Sequence, residues 1–146
     1  MYRRILVPTD GSPCAQKAVE EALRLAKATG GEVTFLHVVE NPSTLVPTPA
    51  LPDALNYELA KNLERLADEA LEAALKQARE AGVSARAQLR RGDDVGYEIA
   101  EAAGEFDAVV MATHGRGLRR FFMGSVTQGV LARCPVPVLV IRCPVE

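Results

Sequence analysis

Two hydrophobic periods alternate along the chain. Short, almost wholly apolar runs stand between stretches whose apolar residues return every three or four positions, as buried strands and amphipathic helices do. Arg4 to Thr9 reads as a first buried strand. It ends at Asp10-Gly11, and Ser12-Pro13 follows, a capping residue and then proline at the first helical position. A helix is therefore expected from about Ser12 to Thr29. Gly30-Gly31 stops it, and Glu32 to Val39 returns as a second strand. Glu40 to Pro52 carries Pro42, Pro47, Pro49 and Pro52, which exclude helix and ladder strand and predict a long loop, read as a flap. From Asp53 to Ala81 the residues Leu55, Leu59, Leu63, Leu66, Ala70 and Ala74 mark the apolar stripe of one long helix stopped by Gly82. Val83 to Leu89 alternates as a third strand. Gly92-Asp93-Asp94 leads into a short helix near Tyr97 to Ala103, ended by Gly104. Asp107 to Ala112, Ser125 to about Arg133 and Val136 to Arg142 complete the pattern as strand, helix and strand.

Strands that alternate with helices need right-handed crossovers, which predicts an α/β fold with a doubly wound five-stranded parallel sheet and helices on both faces. The fourth strand, in the run Phe106-Asp107-Ala108-Val109-Val110-Met111, is too apolar to be wetted on one face and belongs at the centre. No internal repeat or linker divides residues 1–146, so a single domain is expected. In such sheets ligands bind beyond the carboxyl ends of the strands, where the strand order reverses.

Composition narrows the partners. With 146 residues, 48% hydrophobic and 25% charged, the chain can bury a core without metal or disulfides, and neither disorder nor a membrane span is suggested. A net charge of -2 argues against nucleic acid as the main partner. No apolar run approaches eighteen residues, and no long apolar segment follows Met1, so the expected location is cytoplasmic, off the membrane. Cys14, Cys134 and Cys143 are odd in number and far apart, without a C-x-x-C. They read as reduced structural thiols, with Cys14, in the first turn of a helix, the candidate for a lowered pKa.

Chemistry concentrates between Met111 and Thr127, where a buried strand, a glycine-bearing loop and a helix start follow one another. Gly115 and Gly117 would let the backbone turn and approach a ligand closely. Gly124-Ser125 opens a helix whose first amides lack helical partners and point positive charge into the loop. Arg116, Arg119 and Arg120 add a local basic cluster suited to a small anion. Together these features predict a phosphate cradle. Ser125 with Gln128 three residues on also reads as a capping box, which by itself needs no ligand. If the first and fourth strands are neighbours, Asp10 faces Ala112 to Gly115, as a ligand for Mg²⁺ against phosphates or an acceptor for a ribose hydroxyl. Its alternative role is a charge near the N-terminus of the first helix. No G-x-x-x-x-G-K-[ST] occurs, and Gly115-x-Gly117 lacks the third glycine of a dinucleotide fingerprint. His37, in an apolar strand, reads as a core residue, whereas His114 enters the glycine loop. No nucleophile, base and orienting group can be paired from the sequence, so no catalytic residue is assigned.

Over its whole length the chain resembles the universal stress protein family. The resemblance rests on Ile5-Leu6-Val7-Pro8-Thr9-Asp10-Gly11-Ser12, Leu36-His37-Val38, Val109-Val110-Met111-Ala112-Thr113-His114-Gly115, Gly124-Ser125-Val126-Thr127 and Cys134-Pro135-Val136-Pro137-Val138-Leu139-Val140-Ile141. It implies strand order 3-2-1-4-5, homodimers and, in one branch, ATP bound through a G-x-x-G, nine-residue spacer, G-[ST] pattern. By that pattern Gly115, Gly124 and Ser125 would bind phosphates, Asp10 would lie near them, and the backbone of Val38 would meet adenine. The binding set so implied is Pro8, Thr9, Asp10, Val38, Met111, Ala112, His114, Gly115, Arg116, Gly117, Gly124, Ser125, Val126 and Thr127. Two departures stand out: Ala112 replaces the first glycine, and eight residues rather than nine separate Gly115 from Gly124. The expected function is an ATP- and Mg²⁺-binding regulatory protein, not an efficient enzyme, that dimerises through its last strand and acts on a downstream protein. The alternatives are a nucleotide-free dimerisation module and a slow ATP-hydrolysing enzyme.

Overall fold

Residues 1–41, 52–114 and 124–143 are described by a computed structural model. The chain runs β1 (Arg4–Pro8), α1 (Pro13–Thr29), β2 (Glu32–Val39), α2 (Asp53–Ala81), β3 (Ala85–Arg91), α3 (Val95–Ala103), β4 (Ala108–Ala112), α4 (Ser125–Arg133) and β5 (Val138–Ile141). All pairings are parallel, in the order β3-β2-β1-β4-β5. This is the doubly wound sheet that the alternating periods predict, with the strand order that the family resemblance adds. The proposed flap falls largely on residues 42–51, and Gly115, Arg116, Gly117, Arg119 and Arg120 lie at 115–123; both segments are outside the described residues.

Side-chain alternation sorts the core into two layers. Ile5, Val7, Val33, Phe35, Val110 and Ala112 pack under α1 and α2, whereas Leu6, Leu36, Val109 and Met111 pack under α3 and α4. All five residues of β4 are buried, as a strand covered on both faces must be.

Local chemistry explains the boundaries, including those the sequence pattern misplaces. Ser12 caps α1, its Oγ accepting from the Ala15 amide at 3.1 Å, with Pro13 first in the helix. The third strand begins at Ala85, not Val83. Val83 belongs instead to the end of α2, where its amide donates to the Ala78 carbonyl and that of Gly82 to Arg79. With Gly82 at φ 73°, this pair of bonds closes a Schellman motif, and Val83 is its buried apolar contact. β3 then runs on to Arg91, and its exposed Arg86 and Arg91 suit a sheet edge. α3 starts at Val95, two residues before the expected Tyr97, because Asp94 Oδ1 accepts from the Tyr97 amide at 3.1 Å. The Arg133 guanidinium, 2.8 Å from Asp94 Oδ2, and that capping bond hold the Asp94 carboxyl below the usual aspartate range. β5 is shorter than the expected Val136 to Arg142. Pro135 and Pro137 lack amide protons, although the Pro137 carbonyl still accepts from Val109.

The stripe expected along α2 is corrected. Its buried residues are Ala67, Leu71, Ala74 and Ala78, while Leu55 and Leu66 are exposed. The C-terminal half of this helix packs on β2 and β3, and its N-terminal half stands clear of the core formed by the described residues.

Gly96 of α3 faces Gly129 of α4. A Cβ at position 96 would lie 3.2 Å from the Val126 carbonyl oxygen and 3.4 Å from the Gly129 Cα, so the two helix backbones approach closely because neither residue has a side chain. Gly96→Val is expected to force them apart at a cost of about 1–3 kcal/mol. A urea midpoint unchanged from the parent would contradict this account.

Candidate functional site

The strand order reverses between β1 and β4, each of which starts a path to opposite edges of the sheet. Beyond their carboxyl ends lies a cleft lined by Pro8, Thr9, Asp10, Val38, Met111, Ala112, His114, Val126 and Thr127 of the expected binding set. Gly124 and Ser125 begin α4 beside it. Thr113, just past β4, anchors both sides of that passage: its carbonyl accepts from the Gly124 amide at 2.8 Å, and its own amide donates to Ile141.

The turn after β1 is built from short side chains. Asp10 Oδ1 accepts from the Ser12 amide at 2.9 Å and Thr9 Oγ1 from the Gly11 amide at 3.2 Å. Gly11 sits at φ 78°, a left-handed position that favours glycine. Asp10 thus lies before the cap of α1, half-buried at the cleft.

α4 departs from the expected capping box. Its N-cap is Gly124, not Ser125, and no side chain among the described residues caps it. The first helical bond runs from the Gln128 amide to the Gly124 carbonyl, so the amides of Ser125, Val126 and Thr127 precede the helical ladder. Thr127 is buried and its hydroxyl donates to the Ala112 carbonyl at 2.9 Å. That bond uses its only proton, fastening α4 to the end of β4.

Sequence reasoning omitted Ala15, Leu36, His37, Glu40, Val95 and Ile99, which also line the cleft. Most share one signal: they occupy the carboxyl end of a strand or the first turns of a helix. His37 corrects its reading as a core residue, since it is half-buried and faces the cleft. Its Nδ1 is 2.8 Å from the Thr9 carbonyl. A carbonyl only accepts, so Nδ1 carries the proton. Burial, and secondarily the charge of Asp93, raise the Glu40 carboxyl above its ordinary value.

Three residues separated in sequence meet at one side of the site. One donor atom each from Cys14, His114 and Cys143 lie within 4.8 Å of one another. Burial, together with the neighbouring Cys143 thiol, pushes the Cys14 thiol up to about 11. The direction is opposite to the lowering expected at a helix start, and its first cause is desolvation, Cys14 being only 4% exposed.

Residues 1–142 match the model of the universal stress protein family. Universal stress protein MJ0531 of Methanocaldococcus jannaschii is 34% identical, with 99% of this chain and 84% of the relative covered. The solved structure of MJ0577 from the same organism superposes with a TM-score of 0.83 at 27% identity, over 100% of this chain and 99% of that one. A universal stress protein family structure from Arabidopsis thaliana, solved with AMP bound, shares the fold at a TM-score of 0.69 and 17% identity, covering 97% and 92% of the two chains.

Proposed function

The chain belongs to the universal stress protein family, and from that premise we propose that it is a regulatory protein that binds ATP with Mg²⁺ in the switch-point cleft. The observation that carries this reading is the backbone of β2 at the cleft. Pairing with β1 ends at Pro8↔Leu36, whereas pairing with β3 continues to Val39↔Arg91. Leu36 directs its carbonyl toward β1, where the Thr9 amide meets it, and Val39 directs its own toward Gly92 beside β3. Backbone groups of alternate residues point the same way. Val38 therefore turns its N–H and C=O toward the β1 side, past the last β1 pair. One donor beside one acceptor complements the edge of adenine, which offers an exocyclic amine and ring nitrogens. Leu36, Ile99, Met111 and Val126 give the apolar walls that a base needs.

At the other end, the early amides of α4 favour phosphate. The Asp10 carboxylate is a hard oxygen donor suited to Mg²⁺, which when bound would neutralise phosphate charge. Thr127 positions α4 instead of contacting the ligand through its hydroxyl. The AMP held by the Arabidopsis protein supports the ligand class at the level of the fold. We assign the protein a regulatory role, with at most slow hydrolysis, and infer that it works as a homodimer through β5.

Millimolar MgATP is the direct test. A ligand at one hundred times its dissociation constant adds roughly 2.7 kcal/mol to stability, equivalent to about 5–10 °C in melting temperature for a domain of this size. The expected result is that shift, with a matching calorimetric isotherm. No shift and a flat isotherm would refute the nucleotide reading and leave the dimerisation module. A steady ATPase rate of about 1 s⁻¹ or more, within the ordinary enzyme range, would overturn the regulatory role.

A further inference from the structure

We propose that Cys14, His114 and Cys143 form a binding site for a thiophilic closed-shell cation, Zn²⁺ being the ion their donors fit. His114 also lines the nucleotide cleft, whereas Cys14 and Cys143 do not, and zinc binding is read without nucleotide. Its residues come from three elements: Cys14 from the first turn of α1, His114 from just beyond β4, and Cys143 from just beyond β5. Two thiols and an imidazole converge to within 4.8 Å. Tetrahedral zinc with bonds of about 2.3 Å to sulfur and 2.0 Å to nitrogen needs donors roughly 3.5–3.8 Å apart, which small side-chain rotations can reach from the present spacing.

An outer-shell residue stands among the donors. Thr113, just past β4, is the chain neighbour of His114. Thr113 Oγ1 also lies 3.2 Å from His114 Nδ1 and accepts from the Cys143 amide at 3.4 Å. Thr113 thus contacts two of the three donor residues, as an outer-shell partner does. Soft sulfur with imidazole selects zinc or cuprous copper over magnesium or calcium. On binding, each thiol gives its proton to solvent as its sulfur bonds the metal. Water takes the fourth position, the arrangement of a three-ligand site.

Buried cysteine also serves as a small apolar filler, and the two thiols could instead form a redox pair. The test separates these cases. The reduced, metal-free full chain is titrated with CoCl₂ and ZnCl₂, and thiols are counted with a chromogenic reagent. The expected result is one ion per chain, sulfur-to-cobalt charge-transfer bands with tetrahedral d–d absorption, and protection of two of the three thiols by Zn²⁺. Cys14→Ser and Cys143→Ser should each weaken Zn²⁺ binding by at least about 100-fold, the upper end of what loss of a mere outer-shell partner costs. His114→Ala should also weaken it, while Cys134→Ser should leave it unchanged. Should Cys14→Ser fail to fold by circular dichroism, Cys14→Ala tests the same ligand without a buried hydroxyl, and Cys143→Ser remains. Absence of cobalt bands at stoichiometric metal would overturn the site. So would full affinity in the folded cysteine variants. A Cys14–Cys143 disulfide in a chain that binds no Zn²⁺ when reduced would also overturn it, assigning the pair to redox chemistry.

Discussion

Gly124→Val is expected to abolish nucleotide binding while the fold survives. Gly124 has φ -62° and ψ 152°, extended backbone that any residue adopts, so a side chain there is not opposed by backbone strain. Valine is a poor N-cap, which costs roughly 1 kcal/mol, a loss that a domain stable by about 5–15 kcal/mol can absorb. Ligand approach is where the substitution matters. The residue begins α4, ahead of the amides that would receive phosphate, and a branched side chain would fill the space in front of them. Removing two charge-assisted hydrogen bonds at about 1.5–3 kcal/mol each predicts at least a 100-fold loss of affinity. Calorimetry with MgATP should show that loss while the far-ultraviolet circular dichroism stays native. Unchanged affinity in the folded variant would mean that the glycine serves only the helix start.

The start of α4 is legible in the sequence, while its cap at Gly124 is not. The helix stops at Gly30 and Gly82, the cap at Ser12 and the buried fourth strand were legible because each depends on a few adjacent residues and one period. The shift of β3 from Val83 to Ala85 was not, because Val83 is apolar in either role and only the Schellman bonds assign it to the helix end. The stripe on α2 failed for a related reason: periodicity marks an apolar face but not how far along the helix the sheet extends beneath it. Strand order came from family resemblance, since spacing alone does not reveal which strands are neighbours. Of the site, Asp10, Val38 and the start of α4 could be placed by motif and resemblance, whereas His37 and Ile99 were omitted although they lie near a strand's carboxyl end and a helix's first turns. Cys14, His114 and Cys143 are the extreme case. They are widely separated along the chain, and the β1-β4-β5 adjacency brings them together.

The same adjacency leads to the expectation that Leu139→Lys will convert a homodimer to monomer. β5 pairs with β4 from Val109↔Val138 to Ala112↔Ile141 and ends the sheet. Its two faces are partly covered, since Ile141 packs into the layer under α1 while Val136 and Val138 pack into the layer under α3 and α4. The strand's outer edge and Leu139, which is 47% exposed, are not accounted for by those layers. A row of backbone donors and acceptors bordered by apolar side chains is a template for another strand, and natural edges are usually blunted by charge or proline. β3, at the opposite edge, carries arginines; the four residues of β5 are all aliphatic. Pairing with the same strand of a second copy about a two-fold axis would satisfy that edge and place each substitution in the interface twice. Lysine at 139 can reach water in the monomer, so it should leave the melting behaviour of the isolated chain little changed. In the dimer two ammonium groups must be desolvated close together, and a penalty of about 3–4 kcal/mol would raise the dissociation constant by a few hundred-fold. Light scattering at micromolar concentration should then report a dimer for the parent and a monomer for Leu139→Lys. A monomeric parent, or a variant that stays dimeric, would rule out pairing through β5.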